Sequence, residues 1–540
     1  MECSPLSLRI LQGSSAIYVV VFLACLSADV QAKPDPKLKW QRDSSCKEMY
    51  VKRSNFPREF AFGVATAAAQ IEGSAKEGGK GPSVWDEFVE KFPGKINGSA
   101  DMFTAIDSYN RYKEDAKLLK NLGVNFYRFS IPWTRILPDG SLSGGVDQEG
   151  IDHYSNLIDE LISNGITPFV TLFHFDSPQA LQDKYGGFLN HMIVKDFKDY
   201  CEICFKSFGD RVKNWITINE PNVIAVYGYE FGVAPPGRCS ISGPAGGCPA
   251  GNSSTEPYIV SHNLLLAHAT AVRLYKDKFK ATQGGQIGIS LVGQYFEPYS
   301  SSPEDKAAMR RALDFNMGWY IEPLVHGHYP RSMRYLVKDR LPTFTEEEKK
   351  LVKGSYDFIG INYYTTRYAK HLRVDPHAPP HYSTDSLTNL TTDKDGVPIG
   401  PNPGTFIYIY PKGLQKLLLF MKRSYKSPKI YITENGIPER SNDSLGLQKA
   451  LKDPHRIRNT VQHMHAIHAA MKQGVKVEGY FYWTLFDDFE FQDGYSLRFG
   501  LYYIDYKDNF RRIPKQSAKW LRRFLEGKYI RPKRCRLINP

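Results

Sequence analysis

At 540 residues, with 42% hydrophobic and 13% aromatic content, the chain can hold several ordinary domains or one large barrel, and is too rich in core-forming residues to be disordered. A formal net charge of +13 would suit an anionic partner. The basic residues are scattered, however, apart from Arg531, Lys533 and Arg534 in the tail, and no nucleic-acid motif accompanies them, so a solvated basic surface is the reading, with affinity for acidic cell-wall polymers left open.

In chain order, Arg9 precedes an apolar run at 16–26, and Val30-Gln31-Ala32 offers small residues for cleavage. This predicts a signal peptide over residues 1–32, removed to leave one domain over 33–540. The run is short for a membrane span and no second one follows, so no membrane partner is expected. Sequons at Asn97, Asn252, Asn389 and Asn442 fit a secretory route as glycosylation sites, and no ER-retention tetrapeptide ends the chain. Cys3 and Cys25 would leave with the signal. Cys239 and Cys248 flank a short Gly/Pro/Ser loop, a span that favours a disulfide in an oxidising compartment, and Cys46 with Cys535 is a second candidate bridge. Cys201 and Cys204 have redox-motif spacing, but they lie in a helical stretch (196–208) without a βαβ context and read as structural.

Eight strand candidates follow one another at 60–64, 125–131, 167–173, 215–218, 286–292, 358–362, 429–433 and 477–483. Amphipathic stretches such as 109–122, 151–163 and 456–472 separate them. With no linker or low-complexity break, this pattern predicts an α/β fold, a single (β/α)8 TIM barrel whose long connections at 240–257 and 374–405 are entrance loops. Most strands run into polar or aromatic residues: Arg128, His174, Asn219-Glu220, Asn362 with Tyr364, Glu434 and Trp483. In such a barrel those ends form one face, where active sites are built.

Two of these ends are Thr217-Ile218-Asn219-Glu220-Pro221 and Tyr431-Ile432-Thr433-Glu434-Asn435-Gly436. Two carboxyls meeting across a barrel mouth are what glycosidic bond cleavage needs. One must be protonated at rest, and Glu220 is expected to have its pKa raised by the neighbouring anion of Glu434. Asn435-Gly436 is expected to form a tight turn that aims Glu434 into the site.

The two motifs resemble the signatures of glycoside hydrolase family 1, the plant β-glucosidases in particular, and the likeness extends from about Phe56 to Phe524. It implies a retaining double displacement with Glu220 as acid/base and Glu434 as nucleophile, their carboxyls about 5–5.5 Å apart. By the same likeness Arg128 keeps the nucleophile ionised, Tyr364 orients it and Asn219 binds the 2-hydroxyl. Gln70 and His174 hold the distal sugar, Trp483 is the platform beneath the ring, and Glu490 grips the outer hydroxyls, with Asn362, Phe491 and Phe499 completing the substrate-binding set. The plant enzymes also carry a bridge at the loop between Cys239 and Cys248. Myrosinases have glutamine at the position of Glu220, so O-glycosides are favoured over S-glycosides here, and Glu490 argues against a sugar phosphate.

The chain departs from the family pattern at several places. Phe491, Phe175 and Phe406 stand where tryptophan is usual, Ser177 for leucine, Ala69 for tyrosine and Asp488 for asparagine. No charged catalytic group is touched, but losing the indole N–H at 491 removes a donor to the sugar. His463, His465 and His468 lack the i, i+4 spacing of zinc helices, and a solvated helix is expected. No phosphate-binding glycine loop stands between a strand and a helix, and the chemistry expected needs neither a metal nor a cofactor. The reading is a retaining β-glucosidase acting on small-molecule β-D-glucosides of hydrophobic aglycones through a glycosyl-enzyme. A homodimer is left open, and the secretory route would end in the apoplast or the vacuole. Alternatives are a diglycosidase or transglycosidase, a β-fucosidase or β-galactosidase, or a non-catalytic carbohydrate-binding protein.

Overall fold

The structure is a computed structural model that describes residues 51–240, 247–375, 377–442 and 444–528. The expected signal peptide, the Cys46–Cys535 bridge and the basic residues of the tail lie outside the described residues.

Eight parallel strands close into a barrel in sequence order: β1 (Ala61–Ala65), β2 (Phe126–Ser130), β3 (Thr167–Phe173), β4 (Asn214–Asn219), β5 (Gln286–Val292), β6 (Phe358–Asn362), β7 (Ile430–Asn435) and β8 (Val477–Trp483). The expected (β/α)8 fold is what forms, with strand limits within two residues of those read from the sequence. These strands are apolar and β-branched because both faces are covered, the outer by helices and the inner by the barrel's own filling. The helix Met192–Phe208 shows the outer packing. Phe197, Tyr200, Cys201, Cys204, Phe205 and Phe208 recur at helical spacing along its buried face. Cys201 and Cys204 are therefore free, buried core residues, as expected.

The barrel interior is plugged by aromatic rings. Phe169 of β3 packs edge-on against Phe358 of β6, Tyr431 of β7 and Phe481 of β8, at centroid distances of 5.5, 5.3 and 5.1 Å. This filling makes the barrel a solid floor, and the polar strand ends sit above it. Parallel register sets Ala65 beside Arg128, Arg128 beside Phe169, and Trp483 beside Ala65, so these strand ends face the same interior.

Two expectations are corrected. Asn435 belongs to β7, where its Nδ2 donates to Tyr363 O (2.7 Å) and its Oδ1 accepts from the Tyr480 hydroxyl (2.9 Å), so Asn435-Gly436 is not a tight turn. Gly436 serves a close approach instead, since a Cβ there would lie 1.8 Å from Trp483 O. Glu434 is aimed by irregular pairing: β7 slips register between Ile432 and Glu434 against β6, and between Ile432 and Asn435 against β8. The second correction concerns the helix Pro454–Lys472, which is not solvated all round. His463 is fully buried, bonded to Asn459 O at 2.8 Å and packed on Tyr363, while His465 and His468 are partly buried.

The entrance loops are tied down. Cys239 and Cys248 form a disulfide, and Asp385 in the second loop pairs with Arg340 (2.6 Å) and accepts from the Tyr258 hydroxyl (2.6 Å). Among the described residues, no helix is long and apolar enough to cross a membrane.

Candidate active site

Arg128 is the hub of the barrel mouth. Its guanidinium is fully buried and spends all three nitrogens. Nε donates to Thr171 Oγ1 (3.1 Å), Nη2 to Asn219 Oδ1 (2.7 Å), and Nη1 to both Thr433 O (3.0 Å) and Glu434 Oε1 (2.5 Å). One side chain from β2 thus bonds β3, β4 and β7. A planar fork with fixed donors suits this, where a lysine would reach fewer partners.

Glu434 is almost fully buried, and its second oxygen is also occupied: the Tyr364 hydroxyl donates to Oε2 at 2.7 Å. Tyr364 follows β6, and its ring rests edge-on against Phe499 (6.2 Å). Burial, and then the neighbouring Glu434 charge, push the Tyr364 phenol well above its ordinary pKa, so it stays a donor.

Glu220 occupies the residue between β4 and the helix Pro221–Tyr229, in a left-handed conformation (φ 44°) with Pro221 in the first helical turn. Its backbone N–H donates to Ser290 O (2.8 Å), which holds the turn in place. Among the described residues, the one side-chain donor bonded to its carboxyl is neutral: Asn362 Nδ2 reaches Oε1 at 3.0 Å. Asn362 also donates to Asn219 Oδ1 (3.0 Å) and accepts from Thr433 Oγ1 (2.6 Å), so its carboxamide is spent on protein.

Both carboxyls are raised above ordinary glutamate values, and the push on Glu220 expected from the Glu434 charge is present but is not the largest cause. For Glu220 burial is the larger cause and the Glu434 charge the second. For Glu434 burial again leads, opposed by the charge and hydrogen bond of Arg128 and by the Tyr364 hydroxyl. Both groups therefore favour the neutral form more than a free glutamate does, and the donors around Glu434 bias the remaining charge toward it and the proton toward Glu220.

The remaining site residues surround this pair. His174, just past β3, is buried and lies 5.8 Å from Trp483 in near-parallel stacking. Its Nε2 meets Asn219 Nδ2 at 3.2 Å, and burial, then Arg128, keep the imidazole neutral. Neutral Nε2 therefore accepts, and the proton sits on Nδ1, which has no partner. Gln70 is fully buried on the short helix after β1. Its Nε2 donates to Phe489 O (2.8 Å) and Glu490 Oε2 (3.3 Å), while its Oε1 has no partner. Phe491 (φ 47°) packs on Trp85 (4.6 Å) and Phe175 (5.5 Å), an apolar wall beside Glu490. The hydrogen bonds and ring contacts link the expected catalytic and sugar-binding residues at this mouth, with Phe499 buried against Tyr364 and Asn362 bonded to protein groups. Sequence reasoning missed Thr171, Ser290 and Thr433, the hydroxyls that orient Arg128 and Asn362. Their position at strand ends beside named residues was the available signal. Among the described residues no group of three or more His, Cys, Asp or Glu could hold a metal ion.

A parallel barrel with a pair of carboxyls at the ends of β4 and β7, one of them clamped by Arg and Tyr, is the arrangement of a glycoside hydrolase. The sequence profile of Glycosyl hydrolase family 1 matches residues 52–529, and the chain belongs to that family. It is 55% identical over 478 residues to Beta-glucosidase 24 of Oryza sativa subsp. japonica, covering 88% of this chain and 95% of the relative. It is 56% identical over 474 residues to the furostanol glycoside 26-O-beta-glucosidase of Hellenia speciosa, covering 88% and 83%. The crystal structure of a rice β-glucosidase superposes with a TM-score of 0.85 at 46% identity, over 88% of this chain and 99% of that one. A mutant of the same rice enzyme has been solved in a covalent complex with Glc.

Proposed function

We propose that this enzyme, a retaining β-glucosidase of O-linked β-D-glucosides, divides its chemistry between Glu434 as nucleophile and Glu220 as acid/base. The Glu434 carboxylate attacks the anomeric carbon while Glu220 gives its proton to the glycosidic oxygen, and the aglycone leaves as an alcohol. Glu220, now a carboxylate, takes a proton from water, whose oxygen attacks the same carbon and frees Glu434. The observation that carries the assignment is the asymmetry of the donors. Glu434 receives a guanidinium and a phenol, whereas Glu220 receives one neutral amide.

The other roles follow from unspent hydrogen-bonding capacity. The free Oε1 of Gln70 and the free Nδ1–H of His174 offer an acceptor and a donor to the outer hydroxyls of the sugar. Glu490 accepts at the same end, Asn219 serves the 2-hydroxyl, and Trp483 lies beneath the ring. Asn362 positions Glu220. An apolar aglycone is supported by Phe406, 45% exposed at the entrance, and by relatives whose names include a furostanol glycoside. The intact acid, nucleophile and Tyr364 speak for catalysis over sugar binding alone.

The test is turnover of nitrophenyl and alkyl β-D-glucosides by Glu220→Gln and Glu434→Gln. Glu434→Gln should lose both substrates. Glu220→Gln should lose about 10²- to 10⁴-fold on the alkyl glucoside, which needs the acid, and far less on formation of the glycosyl-enzyme from the nitrophenyl one. Equal losses on both would reverse or cancel the assignment. A secretory route is supported by the Cys239–Cys248 disulfide and by exposed sequons at Asn97, Asn252 and Asn442, with Asn389 partly buried. Secretion with an endoglycosidase-sensitive mobility shift checks it.

A further inference from the structure

The segment that carries Glu490 begins with two adjacent aspartates in opposite circumstances. Asp487 is fully buried and satisfied: Lys515 Nζ (2.7 Å), Arg498 Nη1 (2.9 Å) and the Gly500 backbone N–H (2.9 Å) all donate to it. Asp488 is equally buried, yet among the described residues neither of its carboxyl oxygens has a hydrogen-bond partner within bonding geometry. The neighbouring Thr484 hydroxyl already donates to Ala65 O (2.8 Å). The nearby cations, Lys515 and Arg498, are engaged with Asp487, and Lys515 also lies 3.4 Å from Glu439. The other titratable groups around Asp488 are Glu490 and the phenols of Tyr127, Tyr495 and Tyr506, with Asp493 and Glu434 beyond Glu490. None of these supplies a positive charge.

A buried carboxylate without a donor or counter-ion is strongly disfavoured, whereas a carboxylic acid in the same place can give its proton to an acceptor. Thr484 Oγ1, whose own hydrogen is committed, is such an acceptor. We propose that Asp488 is a positioning residue for sugar binding. It stands as a neutral acid beside Glu490, which lets Glu490 carry the negative charge that accepts the outer hydroxyls of the glycone. This rests on the reading of Glu490 as a glycone-binding residue. Burial, then Asp487, push Asp488 well above the ordinary aspartate value against the opposing influence of Thr484 and Lys515, and burial, then Asp488, raise Glu490, which Gln70 opposes by donating to it. Two carboxyls that oppose each other's ionisation lose their protons in separate steps. The first step charges Glu490. The second, at alkaline pH, charges Asp488 as well, and the buried anion then opposes the geometry that Glu490 needs.

The experiment compares wild type, Asp488→Asn and Glu490→Gln by infrared difference spectroscopy at neutral pH and by glucose inhibition constant across the range where each protein stays folded. Asp488→Asn keeps the shape without the ionisable proton. It should remove a protonated-carboxyl C=O band from the spectrum, and change glucose affinity by no more than about threefold at mildly acidic and neutral pH. Wild-type affinity should weaken on the alkaline side, and that weakening should be absent in Asp488→Asn. Glu490→Gln should weaken glucose about ten- to a hundredfold, as loss of hydrogen bonds to a charged acceptor does. Loss of a carboxylate band in Asp488→Asn, or an alkaline profile unchanged from wild type, overturns the role of Asp488. A Glu490→Gln protein with wild-type affinity overturns instead the reading of Glu490 on which it depends.

Discussion

Replacing Tyr364 by phenylalanine isolates one hydrogen bond. The phenol makes one side-chain bond, to Glu434 Oε2 at 2.7 Å, and the ring's contact with Phe499 survives the loss of the hydroxyl. A hydrogen bond to a charged group contributes about 1.5–3 kcal/mol, and at 1.36 kcal/mol per pKa unit its loss should raise the pKa of Glu434 by about one to two units. The sign is definite, because the hydroxyl favours the charged form of Glu434. The acid limb of kcat/KM for nitrophenyl β-D-glucoside should therefore move to higher pH by that amount. The alkaline limb, set by Glu220, should stay in place. At the pH optimum kcat should fall about ten- to a hundredfold, since the same hydrogen bond stabilises Glu434 as the leaving carboxylate when water cleaves the glycosyl-enzyme. Steady-state kinetics over the stable pH range measure both limbs. An acid limb that stays where wild type has it, or an alkaline limb that moves instead, would refute the assignment of Glu434 as the group held by Tyr364.

Gly436→Ala should displace Trp483, because the added Cβ would fall 1.8 Å from its carbonyl oxygen. We expect a stability loss of about 1–3 kcal/mol in denaturant unfolding, together with a raised KM. Removing the disulfide through Cys239→Ser with Cys248→Ser reopens a loop of nine-residue separation. The chain-entropy estimate for so short a loop is about 2.5 kcal/mol, an upper value if the loop frays locally. The melting temperature should drop while turnover of nitrophenyl glucoside, which hardly uses the entrance loops, changes little. The Glu220→Gln and Glu434→Gln pair should separate by leaving group as set out above, and Asp488→Asn should keep glucose affinity where Glu490→Gln loses it.

The fold was legible because eight runs of β-branched and aromatic residues alternate with amphipathic stretches, and a barrel closed on both faces requires that pattern. The placement of the candidate site residues was legible because they sit at strand ends: Arg128, Asn219, Asn362, Glu434 and Trp483 all lie within two residues of the end of a barrel strand. What stayed hidden depends on contacts between distant segments. Asn435-Gly436 reads locally as a turn, but pairing with β6 and β8 extends the strand through Asn435 and makes Gly436 a point of close approach. His463 looked surface-placed because helical spacing alone cannot say which face a barrel will cover, and here it packs on Tyr363. The dominance of burial over the Glu434 charge in raising Glu220 was hidden for the same reason, since desolvation is a property of the enclosing fold.

The two carboxyl pairs of this mouth obey one rule with different partners. Glu434 is buried and Glu220 half-buried, and the protein biases the charge toward Glu434 by giving Arg128 and Tyr364 to it alone. At the far end of the sugar, Lys515 and Arg498 pair with Asp487, and among the described residues no cation pairs with Asp488 or Glu490. Gln70 can donate to Glu490 only as a neutral amide. Placement of a few cations thus decides which of five clustered carboxyls are anions, and the sugar meets a different electrostatic environment at each end. The anomeric end needs one proton and one stable anion side by side. The outer end needs acceptors for hydroxyls, and every charge beyond the one on Glu490 weakens it. A further carboxylate beside Glu490 could be tolerated only where its own ionisation is suppressed, and the unpartnered, fully buried position of Asp488 meets that condition.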